Sequence, residues 1–333
     1  LICCIYAYLL HLNVAIMPPN SRCIGDRKSF KRIVWQYFWR THQYCRLAVL
    51  LPLICAFVLG LTFGIWICQL DSRAASNGNI LPTIYVVTAT YKRPEQRAEL
   101  TRLCNTLARV PAIHWLVVED ADSPSSLVAD TIGNCGVLSY THLYVATPED
   151  EKLKSTEPYW WRPKGVRQRN LAFEWLRNDP SRTGVMYIAD DDNTYDVRLF
   201  DEIRATRRVS VWPVAFAGGL LYEGIRCAHG RVLGWIVAFK PHRQFPLDMA
   251  GFAINLQLLH ERPAAKLAYK VERGFQESLL LTSLGVRQSD LEARANDCSR
   301  ILVWHTRTAP PKLNNVALLA ERGLTLPPVI GHV

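Results

Sequence analysis

The chain has 333 residues, 49% of them hydrophobic, and a net charge of +10, which is room for one large domain or two small ones. A basic balance invites a nucleic-acid reading, but seven basic residues from Arg22 to Arg46, opposed only by Asp26, hold six of those ten units, and no nucleic-acid-binding module goes with them. None of the ten cysteines forms a CxxC pair, which argues against a zinc site.

In chain order, the apolar stretch LICCIYAYLLHLNVAIM comes first, and the chain does not open on Met. A fragment or a misjoined start is the expectation there. The basic segment up to residue 46 follows. Leu47–Cys68 then runs for 22 residues without a charge, about 33 Å of helix at 1.5 Å per residue, enough to cross a bilayer core. The positive-inside rule puts residues 1–46 in the cytoplasm and everything after Cys68 in the lumen. Residues 69–81, QLDSRAASNGNIL, read as a short polar stem.

From Pro82 strands and helices alternate. Thr83–Thr88 reads as a strand, Glu95–Leu107 as a helix through Leu100, Leu103 and Leu107, and Trp115–Val118 and His142–Val145 as strands. Val166–Arg177 is expected to be helical, Val185–Ala189 a strand and Val197–Thr206 a helix. The alternation predicts an α/β domain whose first half, 82–207, is a mostly parallel, doubly wound sheet. Ligands of such sheets bind beyond the carboxyl ends of the strands, where Glu119-Asp120 and Asp190-Asp191-Asp192 fall. The second half, 208–333, has strand-like runs at Val209–Val214, Val232–Phe239 and Ile301–Trp304 without regular helices between them. It is expected to face a second substrate. Cys104, Cys135, Cys227 and Cys298 would lie in an oxidising lumen, where disulfides form, and the sequence leaves their pairing open.

Three consecutive aspartates at a strand end repel one another, and a divalent cation bound through oxygen ligands relieves that repulsion. The competing reading is an acidic helix cap. Glu277 heads an apolar helical run and reads either as a cap or as a general base beside a cleft. His305 and Arg307 have the spacing of one strand face and would suit a diphosphate; an ordinary polar face explains them as well. Glu223 and Asp248 are single carboxylates in apolar surroundings, natural partners of sugar hydroxyls.

Taken together and in this order, the strings PTIYVVTATYKRPEQRAELTRL, HWLVVEDA, ADDDNTY, RRVSVWPVAFAGGL, FPLDMAGFA, QESLLL and ILVWHTRT resemble the β-1,3-glucuronyltransferases, from Leu81 to about Lys312. The resemblance implies a GT-A fold behind one transmembrane signal anchor in the Golgi membrane, UDP-glucuronate as donor, Mn²⁺ as cofactor, a galactose-terminated glycan as acceptor and, in many members, a dimer. It further implies a role for each position. Asp192 would be the direct Mn²⁺ ligand, with Asp190 and Asp191 near ribose and donor sugar. Tyr91 would stack on uracil and Asp120 would hydrogen-bond it. Arg169, His305 and Arg307 would contact the donor, Glu223 and Asp248 the acceptor galactose, and Glu277 would be the catalytic base of an inverting transfer to a galactose 3-hydroxyl. Two positions depart from the pattern: Ala89 stands for a usual proline, and Lys164 for an arginine whose bidentate fork a lysine lacks. RRVSVWPVAF and PHRQF lean toward galactose–N-acetylglucosamine acceptors, EPYW toward galactosyl-galactosyl-xylose.

Overall fold

A computed structural model describes residues 81–310 other than 159 and 160, together with 32, 36 and 321–323. The apolar stretch 47–68 and the stem lie outside the described residues, and among the described residues no helix is long and apolar enough to cross a membrane.

The first half follows its hydrophobic pattern. Strand β1 (Ile84–Tyr91) pairs in parallel with β2 (Ile113–Asp120) on one side and β4 (Val185–Ile188) on the other, and β3 (Tyr140–Tyr144) extends the parallel set beyond β2. Period-two alternation sends Tyr85, Val87, Leu116 and Val118 to one face, and Ile84, Val86, Trp115 and Val117 to the other. Both faces are covered. Helix α1 (Gln96–Leu107) brings Leu100, Leu103 and Leu107, and α2 (Ser126–Gly133) brings Val128 and Ile132, to the second face. Helix α3 (Val166–Arg177) packs Ala172, Phe173 and Leu176 on the first. The short α4 (Arg198–Arg204) adds Leu199, Phe200 and Ile203 to the second face. The buried indole of Trp115 donates to Thr88 Oγ1 at 2.9 Å, so its one polar atom is satisfied within the core.

Parallel pairing is unbroken only across these first four strands. Beyond β4 the sheet is mixed and continues in the order β4-β10-β6-β11-β9-β8-β7-β12-β5. Here β10 is Phe252–Asn255, β6 Val209–Val211, β11 Leu291–Ala293, β9 Arg231–Ile236, β8 Tyr222–Ala228, β7 Val214–Ala215, β12 Val303–Trp304 and β5 Thr194–Tyr195. The expected run Val209–Val214 is interrupted at Trp212-Pro213. Proline has no N–H to give to a ladder, and the Trp212 indole turns inward to donate to the Ala250 carbonyl at 2.9 Å. The short β10, from the second half of the chain, runs antiparallel to β4 and joins the two halves in one sheet. Two disulfides, Cys104–Cys135 and Cys227–Cys298, settle the pairing.

Candidate active site

Strand register builds the first wall. Tyr91 and Asp120 end β1 and β2 and are direct register partners. Both oxygens of Asp120 are engaged by Thr147, from its backbone N–H at 2.7 Å and its hydroxyl at 2.6 Å. That fixes the carboxylate and leaves it lone pairs for a further donor. Tyr91 stays 45% exposed, with the Arg93 guanidinium 4.5 Å and the Lys164 ammonium 5.8 Å from its ring centroid.

The acidic triplet follows β4 directly and opens into a turn toward β5, so no helix begins there and the cap reading falls away. The backbone of the turn is pinned from three sides. Tyr195 donates to the Asp190 carbonyl at 2.9 Å, and Arg102 and Thr306 each donate to the Asp192 carbonyl at 2.7 Å. The three side chains meet different surroundings. Asp190 takes the Arg169 guanidinium at 2.5 Å. Gly165, which precedes α3 with φ +69°, makes that possible: a Cβ there would lie 2.7 Å from Arg169 Nη1. Asp191 is buried, and takes Thr90 Oγ1 at 2.7 Å and Arg93 Nη2 at 2.8 Å. Asp192 has no hydrogen bond or ion pair to its carboxylate among the described residues. Burial, then the charges of Asp190 and Asp191, push its pKa up to about 6. A carboxylate so placed suits a cation. Among the described residues no group of three His, Cys, Asp or Glu side chains could hold a metal, so a cation here would draw its remaining ligands from a bound anion and from water.

The opposite wall comes from the second half of the chain. Helix α5 (Gln276–Ser283) starts after Gly274 and carries Glu277 in its first turn. Ser278 locks that turn by accepting from the Phe245 N–H at 3.1 Å and donating to the Phe245 carbonyl at 3.0 Å. Glu277 Oε2 is sealed from solvent and has no hydrogen-bond partner among the described residues. An acid at a helix start is ordinarily held ionised by the dipole. Here burial dominates; the carboxyl's bond from its own backbone N–H and the charges of Arg243 and Arg169 oppose it, the charge of Asp248 adds to it, and the Glu277 pKa rises to about 8.

Asp248 bridges the two walls. It accepts from the Ala250 N–H at 2.9 Å and faces His305 Nδ1 at 3.3 Å. Burial works to raise its pKa, but the bond and charge of His305 win and hold it below the usual carboxylate range. The same bond raises His305 to about 9, against desolvation and with help from Asp248, Asp190 and Asp192, so the imidazole is cationic at neutral pH. His305 stands just past β12, and its N–H prolongs the pairing by donating to the Ala215 carbonyl at 2.9 Å. Arg307 lies exposed two residues further on. Glu223, on β8, is buried with Arg243 Nη2 3.5 Å away, and burial raises its pKa. Gly218 is required beside it, since a Cβ there would fall 2.2 Å from Glu223 Oε1 at a φ of +60°.

The fold thus gathers Arg169, Asp190, Asp192, Asp248, Glu277 and His305 closely enough for their charges to act on one another, with Tyr91 and Asp120 at the adjacent strand ends. Two arginines were not singled out by sequence. Arg93 clamps Asp191. Arg243 donates to the Gly274 carbonyl at 3.0 Å and the Phe239 carbonyl at 2.9 Å, tying the approach to Glu277 to Glu223. The position of Arg93, two residues past Tyr91 at a strand end, is the one local sign of its role; Arg243 has none.

An acid-lined rim at the ends of parallel strands, together with a buried carboxyl oxygen that has no partner among the described residues, marks the candidate active site of an α/β protein. Residues 103–309 match the model of glycosyltransferase family 43. The chain is 50% identical over 262 residues to galactosylgalactosylxylosylprotein 3-beta-glucuronosyltransferase 3 of Cricetulus griseus, covering 75% of this chain and 78% of that one. It is 52% identical over 255 residues to galactosylgalactosylxylosylprotein 3-beta-glucuronosyltransferase 1 of Homo sapiens, covering 75% of each. Among solved structures, it is similar to S. aureus TarS 1-349 at a TM-score of 0.46 and 12% identity, over 67% of this chain and 60% of that one. The protein belongs to glycosyltransferase family 43.

Proposed function

We propose that the protein is an inverting, GT-A-type glucuronosyltransferase that moves glucuronate from UDP-glucuronate to the 3-hydroxyl of a terminal galactose. One observation carries this reading. Among the described residues the Asp192 carboxylate and Glu277 Oε2 have no hydrogen bond or ion pair, while Asp190, Asp191, Glu223 and Asp248 are each met by a cationic side chain. Such a site asks for a cation on one wall and a proton on the other.

In this reading uracil lies between Tyr91 and Asp120, and Arg169 with Asp190 orients the donor sugar. A divalent cation, Mn²⁺ by the resemblance, would be held by Asp192 and by diphosphate oxygens, and neutralises leaving-group charge. Glu223 and Asp248 face the acceptor galactose. Glu277 Oε2 takes the proton of the 3-hydroxyl as that oxygen attacks the anomeric carbon from the side opposite UDP. The cationic His305, with Arg307, holds the negative charge left on UDP. A base with a pKa of about 8 accepts that proton readily once ionised. The names of the relatives favour galactosyl-galactosyl-xylose on protein as acceptor. The two disulfides suit an oxidising compartment, in keeping with a Golgi enzyme anchored through residues 47–68, and a dimer is the expected assembly.

The test is transfer by the purified protein from UDP-glucuronate, with Mn²⁺, to galactosyl-galactosyl-xylose and to galactosyl-N-acetylglucosamine, with UDP-galactose and UDP-N-acetylglucosamine as rival donors. Metal-dependent transfer of glucuronate alone supports the proposal. Preference for another UDP-sugar, or glycan binding without transfer, refutes it.

A further inference from the structure

We infer that Arg93 is the positioning residue that divides labour within the acidic triplet: by occupying Asp191 it leaves Asp192 as the single carboxylate open to a divalent cation. The inference rests on the metal reading given above and concerns how this chain enforces it.

Three neighbouring aspartates could share a cation in several ways, and each places the cation differently relative to a bound diphosphate. The chain removes the alternatives. Arg93 Nη2 lies 2.8 Å from Asp191 Oδ1, with both side chains nearly buried, at 12% and 7% exposure. The other oxygen of Asp191 accepts from Thr90 Oγ1 at 2.7 Å, and that hydroxyl in turn accepts from Gln96 Nε2 at 3.1 Å. Both Asp191 oxygens are therefore taken by groups that start α1 or end β1. Arg93 Nη2 also contacts Glu99 Oε2, a second buried acid. One nitrogen, Nη2, thus serves both carboxylates while Nη1 is left for a main-chain acceptor, a division between two nitrogens that the single ammonium of a lysine does not reproduce. Arg93 Nη1 donates to the Tyr91 carbonyl at 3.1 Å, and the guanidinium lies against the Tyr91 ring. The same side chain therefore touches the proposed base-stacking residue and the triplet. On the other flank Arg169 occupies Asp190.

Loss of Arg93 has an unusual expected sign. Removing a group that is merely structural would weaken metal binding and turnover together. Removing Arg93 takes a positive charge away from the cation site and frees a second carboxylate, so metal binding strengthens while the geometry for transfer is lost.

The experiment titrates Mn²⁺ into the full chain with saturating UDP present, reading free Mn²⁺ by electron paramagnetic resonance, alongside steady-state transfer. For Arg93→Gln we expect Mn²⁺ affinity to rise about 3–10-fold, from the charge change near the site, while kcat falls about 10–100-fold through misplacement. Arg93→Lys should lie between wild type and Arg93→Gln in both measurements. Asp191→Asn should keep Mn²⁺ affinity within about 3-fold of wild type, since a neutralised acid contributes little to the cation, whereas Asp192→Asn should abolish binding. Weakened or unchanged Mn²⁺ affinity in Arg93→Gln overturns the inference. If that variant does not fold, Asp191→Asn decides, because a loss there equal to that of Asp192→Asn overturns it equally. Wild-type protein that binds no Mn²⁺ refutes the metal reading itself, a result separate from a failure confined to the Arg93 variants.

Discussion

The two walls of this site, the strand ends proposed to take the donor and the helix start proposed to take the acceptor, each leave an acid that no other side chain among the described residues matches, and they reach that condition by different routes. On the donor wall, regular parallel strands end in a triplet whose outer carboxylates are matched by Arg169 and Arg93, so the exception, Asp192, stands in a crowd of like charge. On the acceptor wall, Glu277 stands at a helix start where burial outweighs every neighbouring charge. Asp192 is raised only to about 6 and is ionised at neutral pH, ready for a cation. Glu277 is raised to about 8 and is mostly protonated there. The difference teaches that two buried carboxylates without a matching side chain are not one kind of group: burial is the largest influence on both, but Asp192 stays ionised at neutral pH, as the proposed metal ligand must, whereas Glu277 holds its proton, as the proposed base would before it acts.

The sharpest way to break the comparison is to remove each acid alone. Glu277→Gln should lower kcat by about 10³-fold, the middle of the range for a lost general base, while UDP binding measured by calorimetry stays at the wild-type level; near-normal turnover would show that the base lies elsewhere. Asp192→Asn should cost about 10²-fold in transfer and lose metal-dependent UDP binding. Metal dependence that survives this change would assign the cation to another residue.

The next effect is on pH. Glu277 must lose its proton to act and His305 must keep its own, so kcat/KM should follow a narrow bell with an acid limb near 8 and an alkaline limb near 9. Stability should move the other way on the Glu277 side. A carboxyl whose folded pKa lies above its ordinary value binds its proton more tightly in the folded state, so it contributes stability at low pH that is lost as pH rises toward 8. Glu277→Gln should therefore raise the melting temperature at pH 8 and lose that advantage near pH 5, in thermal melts at the two pH values. An equal shift at both would mean that Glu277 is not held protonated by the fold.

The smallest effect concerns the acceptor wall alone. Gly218→Ala sets a methyl against Glu223 Oε1 in a left-handed backbone. It should raise acceptor KM about 10-fold with little change for the donor, since misplacing one positioning contact costs on this order. A donor KM that rises equally would show that the two walls are not separable by substitution.

The first half was largely legible in the sequence because β1, β2 and β4 are apolar runs buried on both faces, each stopping at an acid or a turn. The acceptor half was not. Strand β8, YEGIRCA, alternates no clear apolar face, and β10 is four residues long and joins the sheet through partners that only the fold supplies. The acids themselves could be named from local surroundings and resemblance. Their arginines could not, since the value of Arg93 or Arg243 depends on a carboxylate brought in from another part of the chain. The burial of Glu277, with one oxygen unpartnered among the described residues, also depends on the fold. The pairing of the four cysteines likewise required coordinates.

The position of β10 carries a last consequence. It follows Asp248 after a single turn and runs against β4, the strand that delivers the aspartates. The offset between the acidic triplet and Asp248 is therefore set by main-chain ladder bonds, as marks on a ruler are fixed. With nucleotide and glycan bound as proposed, selection among the hydroxyls of the acceptor ring would fall to rigid register rather than to jaws closing on the sugar.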